Sequence, residues 1–271
     1  MKVYNSYTIQ SNSEILLGML VAFPFESFEE HDGYMIAYIL EDECDSETQK
    51  DIHNTIQRFD AKYAIETIEP QNWNALWEAS FEPVLVDDFC VVRAGFHDKP
   101  EGITYDIVIN PKMAFGTGHH ETTYMMLAAM RGINMEQKSV FDYGCGTGIL
   151  AVLASKMGSD PIDAIDIEQE SYENTLESAT LNRVKNVSVS CSDLEHFEAK
   201  QYDVILANIN RNVLLNSAEE LYSRLNESGI LLISGILDVD EELVSNKYVD
   251  VGFNLEKVNS KGYWKCILLR K

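Results

Sequence analysis

The sequence predicts a doubly wound α/β sheet whose last strand runs antiparallel to the rest, preceded by a small ferredoxin-like α+β domain. Three observations lead there. From Val140 onward, short apolar segments alternate with amphipathic helical ones. The first of these strands runs into a glycine-rich turn, Asp142-Tyr143-Gly144-Cys145-Gly146-Thr147-Gly148. Residues 1–70 follow a separate order, β-α-β-β-α-β.

In that first segment Val3, Tyr7 and Ile9 open a strand, and Ile15–Leu20 follows a Ser/Asn cluster as a helix. Phe23–Phe28 and Tyr34–Leu40 read as strands around His31-Asp32-Gly33. Ser46–Arg58 is helical, with Ile52, Ile56 and Phe59 on one side, and Tyr63–Ile68 closes the unit as a strand. Four basic side chains stand against fourteen acidic ones in residues 1–70, and no glycine loop or histidine cluster is present. The segment therefore reads as a recognition unit, with a purely structural cap as the other reading.

Residues 71–85 are expected to form a linker helix, with Trp73, Trp77 and Phe81 spaced by four as a packing stripe and Pro83 as its end. The second domain spans 86–271. It opens on strands Val84–Ala94 and Tyr105–Ile109, joined by an exposed turn from His97 to Gly102. The turn Gly116-Thr117-Gly118 then feeds a helix over Tyr124–Met130, where converging backbone N–H groups suit an anion such as a carboxylate. His119 and His120 are adjacent and lack H-E-x-x-H spacing, so no metal site is expected.

Beyond that point the expected strands are Val140–Tyr143, Pro161–Ile167, Val187–Cys191, Tyr202–Ala207 and Gly229–Ser234, with helices near 149–157, 169–182, 212–225 and 239–247. Phe253–Asn259 and Tyr263–Leu269 form a terminal hairpin around Ser260-Lys261-Gly262, which turns the last strand antiparallel.

Ligands of such sheets sit beyond the carboxyl ends of the strands. There the sequence places the glycine loop with Gly144 and Gly146, then Asp166-Ile167-Glu168, Ser192-Asp193 and Asn208-Ile209-Asn210. The loop spacing is G-x-G-x-G, not the G-x-G-x-x-G of dinucleotide sites, which argues against an oxidoreductase. Asp166 stands 22 positions after Gly144, where a carboxylate can accept hydrogen bonds from ribose hydroxyls; an N-cap for the following helix is its other reading.

The loop Asp142–Gly148 resembles the S-adenosylmethionine-binding loop of class I methyltransferases. With the hairpin, it implies their Rossmann-like seven-stranded sheet. Ala114-Phe115-Gly116-Thr117-Gly118-His119 followed by Thr122-Thr123, and Ala207-Asn208-Ile209, narrow the match: they resemble the PrmA family of ribosomal-protein methyltransferases. That family methylates large-subunit protein eleven on lysine side chains and the N-terminal amine. The resemblance assigns cofactor contacts to Thr123, Gly144, Asp166 and Asn208, and the wall they form takes in Gly146 and Ile167. It also lets Phe115, Gly116, Thr117 and Gly118 close over the methionine end of S-adenosylmethionine. Asn208 is the residue expected to orient the cofactor or the amine, and so to be catalytic. Asn110-Pro111-Lys112 departs from the family's usual Asp-Pro-Gly.

The remaining features bear on partners. A net charge of −23 repels phosphate backbones, so no nucleic-acid surface is expected, whereas a basic ribosomal protein is attracted. Five scattered cysteines suit a reducing cytoplasm, no segment reads as a membrane span, and a monomer is expected. Asn208 is not followed by the Pro-Pro-Tyr/Phe of enzymes acting on planar amides and bases, which favours an aliphatic amine. A methyltransferase of the same fold acting on another protein or small amine, and a non-catalytic cofactor-binding module, are the alternatives.

Overall fold

The computed structural model describes residues 3–68, 81–110 and 118–271. Two compact units result, Met1–Ser80 and Phe81–Lys271. Phe115, Gly116 and Thr117 lie outside the described residues, as do Trp73 and Trp77 of the expected linker helix.

The first unit contains β1 (Tyr4–Ile9), α1 (Glu14–Leu20), β2 (Phe25–His31), β3 (Tyr34–Leu40), α2 (Ser46–Gln57) and β4 (Tyr63–Ile68). Its four strands lie in the order β2-β3-β1-β4, and every adjacent pair is antiparallel. Alternation places Met35, Ala37 and Ile39 of β3 on the buried face, where they meet Leu16, Leu20, Ile52 and Ile56 of the helices. Ser13 and Asp45 cap the two helices by accepting from the N–H groups of Leu16 and Thr48. Strand β2 begins two residues later than the sequence suggests, because Pro24 has no N–H to offer a ladder.

In the second unit, β5 (Val84–Val86), β6 (Cys90–Ala94) and β7 (Tyr105–Ile109) form a three-stranded sheet. The expected single strand Val84–Ala94 is thus two antiparallel strands. Asp87 adopts a φ of 48° and the Phe89 N–H returns to the Val86 carbonyl, a turn that aspartate tolerates. Residues 84 and 85 accordingly belong to a strand and not to a linker helix, and Pro83 keeps a preceding helix from running on into them. Strands β6 and β7 pair in parallel, so the segment from His97 to Gly102 belongs to a crossover and not to a hairpin turn.

The large sheet is mixed. Its order is β10 (Val187–Cys191), β9 (Ile162–Asp166), β8 (Val140–Tyr143), β11 (Tyr202–Asn208), β12 (Leu225–Leu237), β14 (Trp264–Arg270), β13 (Asn254–Lys261). The first five are parallel and β14 is antiparallel to both neighbours. Helices α3 (Glu121–Met130) and α4 (Ile149–Lys156) cover one face; α6 (Arg211–Ser223) and α7 (Glu241–Val251) cover the other. Neighbouring residues of β8 show why both faces need covering: Val140 packs into one core and Phe141 into the other. Helix α5 (Gln169–Leu181) follows β9. No helix among the described residues is long and apolar enough to cross a membrane.

Candidate active site

The glycine loop is held from three directions. Helix α4 begins after Gly148, a residue with no side chain to cap it. Asp142 takes that role from inside the sheet: its Oδ2 accepts the N–H of Ala151 at 3.1 Å. The carboxyl is fully buried, and burial pushes its pKa up to about 7. From α5, the Thr175 hydroxyl donates to the Gly146 carbonyl at 3.0 Å, and a Cβ on Gly148 would lie 2.6 Å from the Thr175 methyl. From β9, the Ile165 carbonyl accepts from both Gly144 and Cys145.

Asp166 completes the loop's support. Its Oδ2 accepts the Gly146 N–H at 2.9 Å and its Oδ1 the Glu168 N–H at 3.1 Å. The N-cap residue of α5 is Glu168, so Asp166 is not the cap; it joins the glycine turn through Oδ2 to the entry of α5 through Oδ1. A carboxylate has about four acceptor positions, and two remain for hydroxyl donors.

The end of β11 forms the opposite wall. The Asn208 Nδ2 donates to the Thr123 hydroxyl at 3.2 Å, while its buried Oδ1 has no hydrogen-bond partner among the described residues. Asn210 caps α6 by accepting from Val213. Between them Ile209 is pressed by two glycines: a Cβ on Gly144 would lie 2.2 Å from Ile209 Cγ2, and one on Gly235 would lie 2.1 Å from the Ile209 carbonyl oxygen. Both glycines have positive φ, +74° and +90°.

A third wall comes from the start of α3. His120 is its N-cap residue, its Nδ1 accepting from the Thr122 N–H, and its ring stands edge-on to Trp264 at 4.7 Å between centroids. Together these walls enclose a cavity of about 430 Å³ beyond the carboxyl ends of β8, β9 and β11. Its chemistry is that of a nucleoside-sized site: a carboxylate with free lone pairs, the exposed aliphatic Ile167 beside it, a buried amide oxygen, and glycines that leave backbone bare.

Comparison with known proteins decides the family. The family model described as ribosomal protein L11 methyltransferase (PrmA) matches residues 6–271. The chain belongs to the PrmA family. The ribosomal protein L11 methyltransferase of Porphyromonas gingivalis is 35% identical over 267 residues, covering 96% of this chain and 91% of that one. That of Bacteroides thetaiotaomicron is 35% identical over 271 residues, covering 97% and 96%. Among solved structures, a ribosomal protein L11 methylase from Lactobacillus delbrueckii subsp. bulgaricus has a TM-score of 0.66 and 27% identity, covering 70% of this chain and all of that one.

In this PrmA family member, Gly144, Gly146, Asp166, Ile167 and Asn208 all line the one cavity. Thr123 stands behind the wall, 1% exposed, and reaches the cavity through Asn208, while its neighbour Thr122 faces the cavity directly. Gly118 packs instead against Val84 and Val92. Sequence reasoning missed Trp264, Gly235 and the capping role of His120. Of these only His120 carried a signal, as a hydrogen-bond acceptor just before the first turn of a helix.

Proposed function

We propose that this chain transfers methyl groups from S-adenosylmethionine to lysine side chains and the N-terminal amine of ribosomal protein L11. The observation that carries the reading is the convergence of the glycine loop, Asp166 and Asn208 on one cavity in a member of the PrmA family. The donor set fits that cofactor. Asp166 takes the ribose hydroxyls, Ile167 flanks the adenine, and the bare backbone at Gly144 and Gly146 admits close approach. Asn208 orients the cofactor or the amine through its buried oxygen, with Thr123 holding the amide in place. Phe115, Gly116 and Thr117 are the residues we assign to closing over the methionine end, whereas Gly118 stays packed against Val84 and Val92.

When bound, the cofactor supplies an electrophilic methyl carbon. The protein's part is placement of a neutral amine lone pair in line with it. A free lysine has a pKa of about 10.4, so the amine must shed a proton, which passes to water. Apolar walls such as Trp264, Ile209 and Val213 disfavour the ammonium form and so assist that loss.

The first unit, read as a ferredoxin-like domain over residues 1–70, recognises the substrate; its acidity complements a basic ribosomal protein. The enzyme acts as a cytoplasmic monomer and makes no direct contact with nucleic acid. The test is mass spectrometry of large-subunit ribosomal proteins incubated with the enzyme and S-adenosylmethionine. L11 should gain methyl groups on lysines and its N-terminus with wild type and not with Asp166→Ala. Methylation of a different protein only, or of none, refutes the reading.

A further inference from the structure

An apolar patch begins where the cavity ends. Trp264 and Gly235 line the cavity, and two residues beyond Gly235 the strand β12 finishes at Leu237, paired with Trp264. The next N–H, of Asp238, donates to the Tyr263 carbonyl at 2.8 Å, which sets the tip of the last hairpin against the start of α7. Four apolar side chains are exposed in this small region: Val239 at 81%, Tyr263 at 76%, Leu243 at 53% and Leu237 at 37%. Val239 lies in the 3-10 turn Asp238–Asp240, and Leu243 follows four residues later in the first turn of α7. Exposed apolar residues scattered singly need no explanation, but a cluster continuous with a ligand cavity marks an interaction surface.

Charge says what the surface accepts. The segment Asp238-Val239-Asp240-Glu241-Glu242 interleaves the patch with four carboxylates. Arg211 pairs with Asp240 at 2.7 Å and Lys265 with Glu241 at 2.9 Å, while the ammonium of Lys261 in the hairpin lies over the Tyr124 ring. Asp238 and Glu242 are thus the carboxylates of this segment without an ion pair among the described residues. Apolar ground edged with carboxylates suits lysine and arginine side chains, which lay aliphatic stems on the one and present cations to the other. Tyr263 adds a ring face for such a cation.

We propose that Leu237, Val239, Leu243 and Tyr263 form a docking surface for the basic protein segment that flanks the acceptor amine. The surface leads that segment from the rim to the cavity at Trp264. This deepens the functional reading above and rests on it. Substrate is then gripped by the second unit itself, close to the reacting amine.

The experiment compares wild type with the triple variant Val239→Ala, Leu243→Ala, Tyr263→Ala on purified ribosomal protein L11. Affinity for S-adenosylhomocysteine and thermal unfolding are read in parallel. All three substitutions are on the surface and spare the cavity wall. The expected result is a KM for L11 raised about tenfold, with kcat and S-adenosylhomocysteine affinity within about twofold of wild type. Asp238→Asn with Glu242→Gln should raise KM and weaken its dependence on salt. An unchanged KM in the triple variant of an enzyme whose wild type methylates L11 overturns the docking surface alone. A wild type that transfers no methyl group to L11 overturns the functional reading and the surface with it.

Discussion

The side-chain amide of Asn208 donates to the hydroxyl of Thr123 at 3.2 Å, joining the end of β11 to the first turn of α3 across 85 residues. This bond ties the position of the amide to α3. With Nδ2 occupied, the oxygen Oδ1 is the group left over, buried and without a partner among the described residues. Thr123 is 1% exposed and does not line the cavity, so its contact with the cavity wall runs through Asn208.

Thr123→Ala should lower kcat/KM for methyl transfer about tenfold, the worth of roughly one hydrogen bond, while leaving the fold intact. Thr123→Ser keeps the hydroxyl and should restore most of the loss. Steady-state kinetics on the three proteins checks this, and equal rates for Ala and Ser variants would remove the bond from the account.

The two glycines around Ile209 should respond differently to repair. Gly144→Ala meets the Cγ2 methyl of the Ile209 side chain, whereas Gly235→Ala meets the Ile209 backbone. Each should cost on the order of 1–3 kcal/mol, since both residues have positive φ. Adding Ile209→Ala should recover part of the cofactor affinity and stability lost in Gly144→Ala and none of that lost in Gly235→Ala. Urea unfolding with calorimetry on the double-mutant cycle reads the difference.

Asp166 both holds the Gly146 N–H and faces the cavity. Asp166→Ala should weaken S-adenosylhomocysteine binding by roughly a hundredfold or more, since charged hydrogen bonds are worth about 1.5–3 kcal/mol each. Asp166→Asn, which keeps one acceptor, should fall between. Isothermal calorimetry showing undiminished affinity in the Ala variant would end the ribose assignment.

Asp142 should give stability a pH dependence. Burial raises its folded pKa to about 7 from 3.8, so between these values the native state keeps a proton that the unfolded chain has lost. Stability relative to Asp142→Asn should therefore fall as pH rises from about 4 to about 7, then level off. Asparagine keeps an oxygen for the Ala151 N–H, so the comparison isolates the charge. Denaturant midpoints of both proteins at several pH values provide the measurement; parallel curves would contradict it.

The first unit has its own core around Tyr7, Ile39, Ile52 and Ile56, and the second a separate pair of cores. A chain starting at Phe81 should keep its affinity for S-adenosylhomocysteine and lose most activity on L11. Full activity in that truncation would take recognition away from the first unit.

Much of the second unit was legible in advance because its signals are local. The strands Val140–Tyr143, Val187–Cys191 and Tyr105–Ile109 follow the pattern of apolar residues residue for residue. Periodicity fails where one side chain interrupts it, as at Asp87, which divides Val84–Ala94 into two strands while both halves stay apolar. Nor does it say how strands pair: β6 and β7 are joined by a short connection that suggests a hairpin, yet they run parallel.

What the sequence determined by itself is the chemistry available: a glycine turn between strand and helix, an acid one strand later, and an amide at the end of another. These are properties of residue type and short spacing, and they survive without knowledge of distant contacts. Only the tertiary structure decided which surfaces close the cavity. Trp264 arrives through an antiparallel strand far along the chain, His120 through a helix start, and Gly235 because its missing Cβ lets β12 touch the backbone of Ile209. Tertiary structure also placed Thr123 behind Asn208 and not on the cavity wall. Such relations depend on packing between segments remote in sequence, and no local pattern encodes them.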